Sequence, residues 1–278
     1  MDRHATSQSA SGTGAGKSGL IVVADDLAGR EVGTTPRGEG RQDRLRLFCF
    51  PYAGSGTSIY RGWAAAITHD IEIWPVALPG REHRLAEVPI DDVRRLAAVV
   101  SDELGRFLEP PFAFFGHSMG ALLAFEIARN LRRQARPGPG CLIVSAHRAP
   151  HLHDEQDRIH DKPTSKLVQE LRRLNGTSAE VLGNRELVEL ILPVLRADFK
   201  AAELYRYIEE PPLQCPIVAY GGTRDGMVSE SQLAGWSAHT NGGFAQKMFD
   251  GDHFYVNTQR EELIAQLAFD LRRDGVAR

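Results

Sequence analysis

Short apolar runs alternate with amphipathic stretches along most of the chain. Runs that end at Pro, Gly or polar residues predict buried strands, and helical spacing of apolar positions predicts helices. The predicted strands are Leu45–Phe50, Ile71–Leu78, Phe112–Phe115, Cys141–Ala146, Pro216–Tyr220 and Phe244–Phe249. The predicted helices are Asp91–Leu108, Ala121–Leu131 and Glu261–Leu271. This alternation predicts an α/β fold with a mostly parallel central sheet and helices on both faces.

The regular alternation of strands and helices is interrupted between the fourth and fifth predicted strands. About 70 residues separate them, which is far more than one crossover helix needs. Two further helices are predicted there, at Ser165–Leu174 and Arg185–Tyr207, and Pro193 should break or kink the second. We expect an inserted helical lid at about 148–210 that shapes a substrate cavity.

The first 44 residues have a different composition. They contain 12 apolar residues, 8 Gly and no aromatic residue, and their charges sum to zero. Such a segment cannot bury enough surface to offset its ordering entropy, so residues 1–44 are expected to be a disordered extension and 45–278 a single domain. Residues 11–18 resemble a phosphate-binding loop, but Ser11 replaces the first Gly and no helix pattern follows.

Charge and composition exclude several classes of protein. The 33 basic and 36 acidic residues give a net charge of −3, which is too balanced for a dedicated nucleic-acid-binding protein. No apolar run is long enough to span a membrane, and the run Leu20–Ala24 is too short for a secretory signal. The three dispersed cysteines predict free thiols. We therefore expect a cytoplasmic protein that binds neither nucleic acid nor membrane.

The segment Gly116-His117-Ser118-Met119-Gly120 is the only G-x-S-x-G in the chain. It follows a predicted strand and precedes a predicted helix, which is the context of a nucleophile elbow. The glycines permit a tight turn, and the turn holds the serine hydroxyl exposed at a strained position. Ser118 is therefore the candidate nucleophile.

A nucleophilic serine needs a base, and the base needs an orienting acid. In α/β-hydrolases these follow the nucleophile in the order acid, then His. Asp225 follows the strand two beyond that of the nucleophile, and His253 follows the last strand, so these are the candidates. Asp252 is the rival acid, and the rival base is His239, toward the end of a helix expected to begin near Ser229. The side chain of His117 is expected to leave the elbow in another direction and to be structural.

The loop after the first strand, Phe50–Gly56, contains small residues that allow its backbone to approach a substrate carbonyl. An oxyanion hole needs two backbone donors, one of them the amide after the nucleophile. We expect these donors to be the amides of Ala53 and Met119.

Together, these motifs resemble the type II thioesterases, the discrete enzymes that serve polyketide synthases and nonribosomal peptide synthetases. The resemblance covers roughly 45–272 and rests on FPYAG at 50–54, LPGRE at 78–82, GHSMG at 116–120, LPVLRAD at 192–198 and GDHF at 251–254. It departs at Ser55, where a second Gly is common, and at Ala146-His147-Arg148. It implies an α/β-hydrolase fold with a helical lid, the triad Ser118, Asp225 and His253, and oxyanion donors at Ala53 and Met119.

The resemblance also implies hydrolysis of acyl groups from the phosphopantetheine arm of carrier proteins, either to remove aberrant groups or to release chains. The expected mechanism uses no metal or cofactor, and a monomer is expected. The alternatives are a carboxylesterase or lipase acting on small free esters, and a non-catalytic binding module. Arg81, His83 and Arg84 either contact an acidic carrier or belong to an ordinary solvated loop, and Asp198 is expected to bond within the lid.

Overall fold

The computed structural model describes residues 44–152, 158–273 and 275–276. Its centre is a parallel six-stranded sheet with the strand order β2-β1-β3-β4-β5-β6. The strands are β1 (Leu45–Phe50), β2 (Ile71–Pro75), β3 (Phe112–His117), β4 (Leu142–Ser145), β5 (Ile217–Gly222) and β6 (Phe244–Phe249). The predicted α/β class is therefore confirmed. The extension predicted to be disordered lies, except for Arg44, outside the described residues.

The described helices fill the crossovers between the strands and the segment after β6. They are α1 (Trp63–Ala66), α2 (Val93–Leu104), α3 (Met119–Arg133), α4 (Thr164–Leu174), α5 (Ala179–Gly183), α6 (Arg185–Glu203), α7 (Glu230–Ala234), α8 (Tyr255–Thr258) and α9 (Arg260–Arg273). The short helices α1, α5 and α8 were not predicted, because they are too brief to show a periodic apolar pattern. Among the described residues, no helix is long and apolar enough to cross a membrane.

Alternate residues of the central strands pack into two cores, one on each face of the sheet. Phe48 and Phe50 of β1 face the core formed with α2 and α3. Leu47 and Cys49 face the opposite core, which is formed with α1 and α9. Because both faces are covered, the strands β3, β4 and β5 are buried along their whole length rather than at alternate positions, as expected for a parallel sheet.

Strand β2 and helix α6 are two of the elements that differ from their predictions. Strand β2 ends at Pro75, three residues before the predicted end at Leu78, although the N–H of Val76 still donates to the Cys49 carbonyl oxygen at 2.9 Å. The apolar run continues since Leu78 is buried in the core outside the strand. The break predicted at Pro193 is wrong because α6 runs through it uninterrupted for 19 residues, whereas the alternative of a kink stays a prediction. The buried residues Leu195 and Asp198 anchor the part of α6 after that proline.

Candidate active site

Ser118 lies in a tight turn between β3 and α3. Its backbone has φ 54° and ψ −121°, a conformation that a side-chain-bearing residue rarely adopts. The flanking glycines make this turn possible. A Cβ at Gly120 would lie 2.1 Å from the carbonyl oxygen of Phe50, and one at Gly116 would lie 2.1 Å from that of Gly120. The predicted elbow is therefore present, with its serine held in a strained conformation.

Three side chains from different loops form one hydrogen-bonded line. His253 Nε2 lies 3.0 Å from Ser118 Oγ, and His253 Nδ1 lies 2.8 Å from Asp225 Oδ2. The other carboxylate oxygen of Asp225 accepts from the backbone N–H groups of Met227 at 2.7 Å and Val228 at 3.2 Å. Since the buried carboxylate can only accept, Nδ1 donates to it and the Nε2 lone pair faces the serine hydroxyl. This geometry can remove the hydroxyl proton during nucleophilic attack.

Neither rival residue joins this line. Asp252 is exposed, and its carboxylate accepts from the backbone N–H of Phe254 at 2.8 Å. His239 is buried, and its Nε2 lies 2.7 Å from Nδ1 of His151. Burial, together with the neighbouring His151, lowers the pKa of His239 to about 4.

The strand order brings the loop after β1 next to Ser118. The order reverses at β1, which lies between β2 and β3, so the loops after β1 and β3 diverge around a crevice at the carboxyl edge. In the loop, Ser55 N–H donates to Tyr52 C=O at 3.1 Å, and Gly54 has a φ of +76°. These values describe a tight turn that needs glycine at its third position.

The predicted oxyanion donors lie at the same cavity as the candidate nucleophile. Ala53, Ser118, Met119 and His253 all line a cavity of about 440 Å³. Met119 is the first residue of α3, so its N–H has no acceptor within the helix. The structure thus brings together all five sequence-predicted site residues, the fifth being Asp225 behind the histidine.

Residues of the inserted helices complete the cavity wall. Leu174 of α4 and Phe199 and Ala202 of α6 line it, together with Met227 from the loop after β5. Charged side chains line it as well, namely Arg148, Lys162, Glu170, Arg173 and Glu203. The cavity therefore has both apolar and charged walls, and its shape depends on how the inserted helices pack.

Comparison with known proteins identifies the family. The sequence model of the thioesterase domain family matches residues 45–269, which is most of the chain. The chain belongs to the thioesterase family. This thioesterase is 40% identical over 229 residues to gramicidin S biosynthesis protein GrsT of Aneurinibacillus migulanus, a match that covers 82% of this chain and 90% of that protein.

Solved structures agree with the family match. The type II thioesterase BorB of the borrelidin biosynthetic cluster has a TM-score of 0.79 and 36% identity, covering 91% of this chain and 97% of that one. The RedJ thioesterase of the prodiginine pathway in Streptomyces coelicolor has a TM-score of 0.79 and 38% identity, and the match covers 87% of this chain and 97% of RedJ. The resemblance to type II thioesterases is confirmed, and a thioesterase is favoured over a carboxylesterase or lipase.

His117 makes a contact of this thioesterase that the sequence analysis did not foresee. Its Nε2 lies 2.9 Å from the carbonyl oxygen of His253 and must donate to it. Its Nδ1, 2.8 Å from Ser145 Oγ, therefore accepts from that hydroxyl, and Ser145 accepts in turn from the Tyr255 hydroxyl. Burial, helped by the nearby His253, holds the pKa of His117 well below its ordinary value. A neutral His117 thus ties the backbone of His253 to β4.

Of the three basic residues in the loop after β2, His83 is exposed, but Arg81 and Arg84 are buried and are not available for contact with a partner. Arg81 is 6% exposed and forms a double hydrogen bond with Asp198 at 2.7 and 2.8 Å. Arg84 is equally buried and is paired with Glu87 and Glu103. The cost of burying the two guanidinium groups is offset by these ion pairs with Asp198, Glu87 and Glu103.

The expectation for Asp198 is also wrong. Its carboxylate was expected to bond within the inserted segment, but it bonds to Arg81 and to the backbone N–H of Gly54, at 2.7 Å. Both partners lie outside that segment, Gly54 in the loop after β1 and Arg81 in the loop after β2. No local pattern in the sequence indicates such a contact, because 117 residues separate Asp198 from Arg81.

Proposed function

We propose that this thioesterase hydrolyses acyl thioesters on the phosphopantetheine arm of carrier proteins, with Ser118 as nucleophile. The hydrogen-bonded line from Asp225 through His253 to Ser118, at the edge of a 440 Å³ cavity, is the observation that carries the proposal. A line of this kind is the arrangement that activates a serine for acyl transfer.

In the first half-reaction, Ser118 Oγ attacks the thioester carbonyl carbon while His253 Nε2 takes the hydroxyl proton. The negative charge that develops on the carbonyl oxygen is stabilised by the amides of Ala53 and Met119. The C–S bond then breaks, the proton passes from His253 to the departing sulfur, and an acyl-enzyme remains. A thiolate is a good leaving group, so this step needs less proton donation than the departure of an amine.

In the second half-reaction, His253 removes a proton from water, and the resulting nucleophile attacks the acyl-enzyme carbonyl. The same two amides again stabilise the oxyanion. Breaking the ester bond returns the proton to Ser118 and releases the free acid. Asp225 holds the histidine in the required tautomer and stabilises its positive charge in both halves.

The named relatives support the carrier-bound substrate. GrsT is named for gramicidin S biosynthesis, BorB for the borrelidin cluster and RedJ for the prodiginine pathway. We propose that the present enzyme likewise serves a polyketide or nonribosomal peptide pathway, by removing aberrant acyl groups or releasing finished chains. Because Arg81 and Arg84 are buried in ion pairs, docking of the carrier would use other residues around the cavity mouth.

The test is mass spectrometry of acyl-carrier proteins incubated with the enzyme. The wild-type enzyme should convert acyl-carrier to free carrier, and Ser118→Ala should stop the conversion while the fold is kept. Ser237→Ala removes an exposed serine whose hydroxyl only bonds to the Ala234 carbonyl, and it should retain full activity. Turnover by Ser118→Ala at the wild-type rate would contradict the assignment.

The same assay distinguishes the two biological roles. Carriers loaded with acyl groups of increasing length are compared at equal concentration. A slow rate with little dependence on length is expected for removal of aberrant groups, and a sharp optimum at one length is expected for dedicated release. Faster turnover of simple free esters than of any acyl-carrier would contradict the proposed substrate.

A further inference from the structure

A buried ion pair joins α6 to the loop after β2. The Asp198 carboxylate is 0% exposed and Arg81 is 6% exposed, and two parallel N–H···O bonds of 2.7 and 2.8 Å link them. Burying a carboxylate is costly unless hydrogen bonds satisfy both of its oxygens. Here both are satisfied, so the pair fixes the position of α6 relative to the sheet.

The same pair holds the turn that contains Ala53. Asp198 Oδ2 accepts a third hydrogen bond, from the backbone N–H of Gly54 at 2.7 Å. Arg81 Nη1 also donates to the carbonyl oxygen of Ser55 at 3.1 Å. Two consecutive residues after Ala53 are therefore bonded to one ion pair, the first through its amide and the second through its carbonyl.

Apolar packing reinforces this attachment. A Cβ placed on Gly54 would lie 2.2 Å from Cδ2 of Leu195, so α6 lies directly against the turn. Leu195 and Asp198 are one helical turn apart and lie on the same side of α6. The turn thus rests on α6, and a displacement of α6 would leave a buried carboxylate and the Gly54 amide without partners.

We infer that Asp198 is a positioning residue for the oxyanion hole, holding the turn so that the Ala53 amide faces the substrate carbonyl. This inference rests on the proposed function, because it assumes that Ala53 is a donor to the oxyanion. An oxyanion hole works only when its donors are fixed before the charge develops. Phe199 and Ala202 of the same helix line the cavity, so contact of the acyl group with α6 and the geometry of the hole are linked.

The experiment compares Asp198→Asn and Asp198→Ala with the wild-type enzyme, using an acyl-carrier substrate and an alkylboronic acid. The boronic acid bonds to Ser118 Oγ and places an oxygen in the oxyanion hole. Losing one donor to an oxyanion typically costs about 10²–10³ in rate. For Asp198→Ala we expect kcat to fall by about that factor, KM to stay within about twofold, and boronate affinity to fall in parallel with kcat.

The conservative variant should recover part of the loss. Asp198→Asn keeps an oxygen that can accept from the Gly54 amide, so its kcat should lie between those of Asp198→Ala and the wild type. The matched control is Asp270→Asn, which changes another buried carboxylate, 1% exposed and bonded to the Tyr220 hydroxyl at 2.6 Å. This control should lower stability and leave kcat and boronate affinity unchanged.

A second variant covers the case in which a single change prevents folding. Arg81→Met combined with Asp198→Leu removes both charges, so no unpaired charge stays buried, and such replacements are often tolerated. It should still lose kcat and boronate affinity together. A folded Asp198→Ala or double variant with wild-type kcat would overturn the inference, as would a loss of kcat with unchanged boronate affinity. Activity of Ser118→Ala, or inactivity of the wild-type enzyme, would instead contradict the proposed function.

Discussion

Asp225→Asn tests the proposed triad most directly, because the structure dictates which way the new amide turns. In the native protein, Asp225 Oδ1 accepts from two backbone N–H groups, of Met227 and Val228, and Oδ2 accepts from His253 Nδ1. An asparagine would keep its oxygen on the two backbone donors and present its NH₂ group to His253. His253 Nδ1 must then accept, which moves the ring proton to Nε2, facing Ser118. In that tautomer the histidine cannot take the serine proton.

The magnitude follows from the cost of the opposite orientation. Turning the amide around would leave two backbone N–H groups unpaired, at about 1–3 kcal/mol each. The productive orientation is thus disfavoured by at least about 2 kcal/mol, which leaves at most about one molecule in thirty active. We expect kcat to fall by at least about 30-fold, and by about 10⁴-fold if the productive form is negligible, as in the corresponding change in a serine protease.

The assay is steady-state hydrolysis of an acyl-pantetheine thioester at neutral pH, followed by release of the thiol. The free energy of unfolding, measured by denaturant titration, checks that the variant is folded. The control is Asp252→Asn, since this exposed neighbour only accepts from the backbone N–H of Phe254 and should keep its rate within about twofold. A loss of less than about tenfold in folded Asp225→Asn would refute the tautomer argument.

Three further predictions concern stability. His117→Leu removes the acceptor of the Ser145 O–H and the donor to the His253 carbonyl oxygen, and it should lower the free energy of unfolding by about 2–6 kcal/mol in denaturant titration. Gly120→Ala places a Cβ against backbone oxygens and should cost more than about 4 kcal/mol, whereas Gly138→Ala meets nothing within 4 Å and should change stability by less than about 0.5 kcal/mol. Burial lowers the pKa of His239 to about 4, so between that value and 6.5 the unfolded chain binds a proton that the folded chain does not. Stability should therefore fall as the pH drops through this range, by about 1.4 kcal/mol per pH unit for this group. His239→Gln should reduce the slope of the whole protein by that amount, while His117, whose pKa is also lowered, keeps its own contribution. An unchanged slope in this variant would show that His239 is not the group responsible.

Much of the site could be predicted because each member sits next to a strand end. The proposed nucleophile, acid and base follow β3, β5 and β6, and the candidate donor Ala53 follows β1. In a parallel sheet all carboxyl ends lie at one edge, so residues distant in the chain are expected to meet there. The glycines at 116 and 120 marked the tight turn because no larger residue fits against the backbone there.

The contacts that support the site could not be read in this way. Three polar residues illustrate this. His117 bonds to the His253 carbonyl, 136 residues away along the chain. Asp198 bonds to the Gly54 amide, 144 residues away, and to Arg81, 117 residues away. A carboxylate or imidazole shows no periodicity that reveals its partner. Burial of these groups becomes favourable only after the chain has folded and supplied every hydrogen bond.

The sequence by itself determined the succession of the strands and longer helices along the chain, the α/β class and the identity of the five candidate site residues. These depend on local apolar patterns and on turns that demand small residues. Only the tertiary structure decided that Arg81 and Arg84 are buried rather than presented to a partner. It also decided that Asp198 of α6 is hydrogen-bonded to the turn containing Ala53. The physical reason is that a charged side chain can be buried only where partner groups offset the cost of its desolvation. Only the fold brings those partners together.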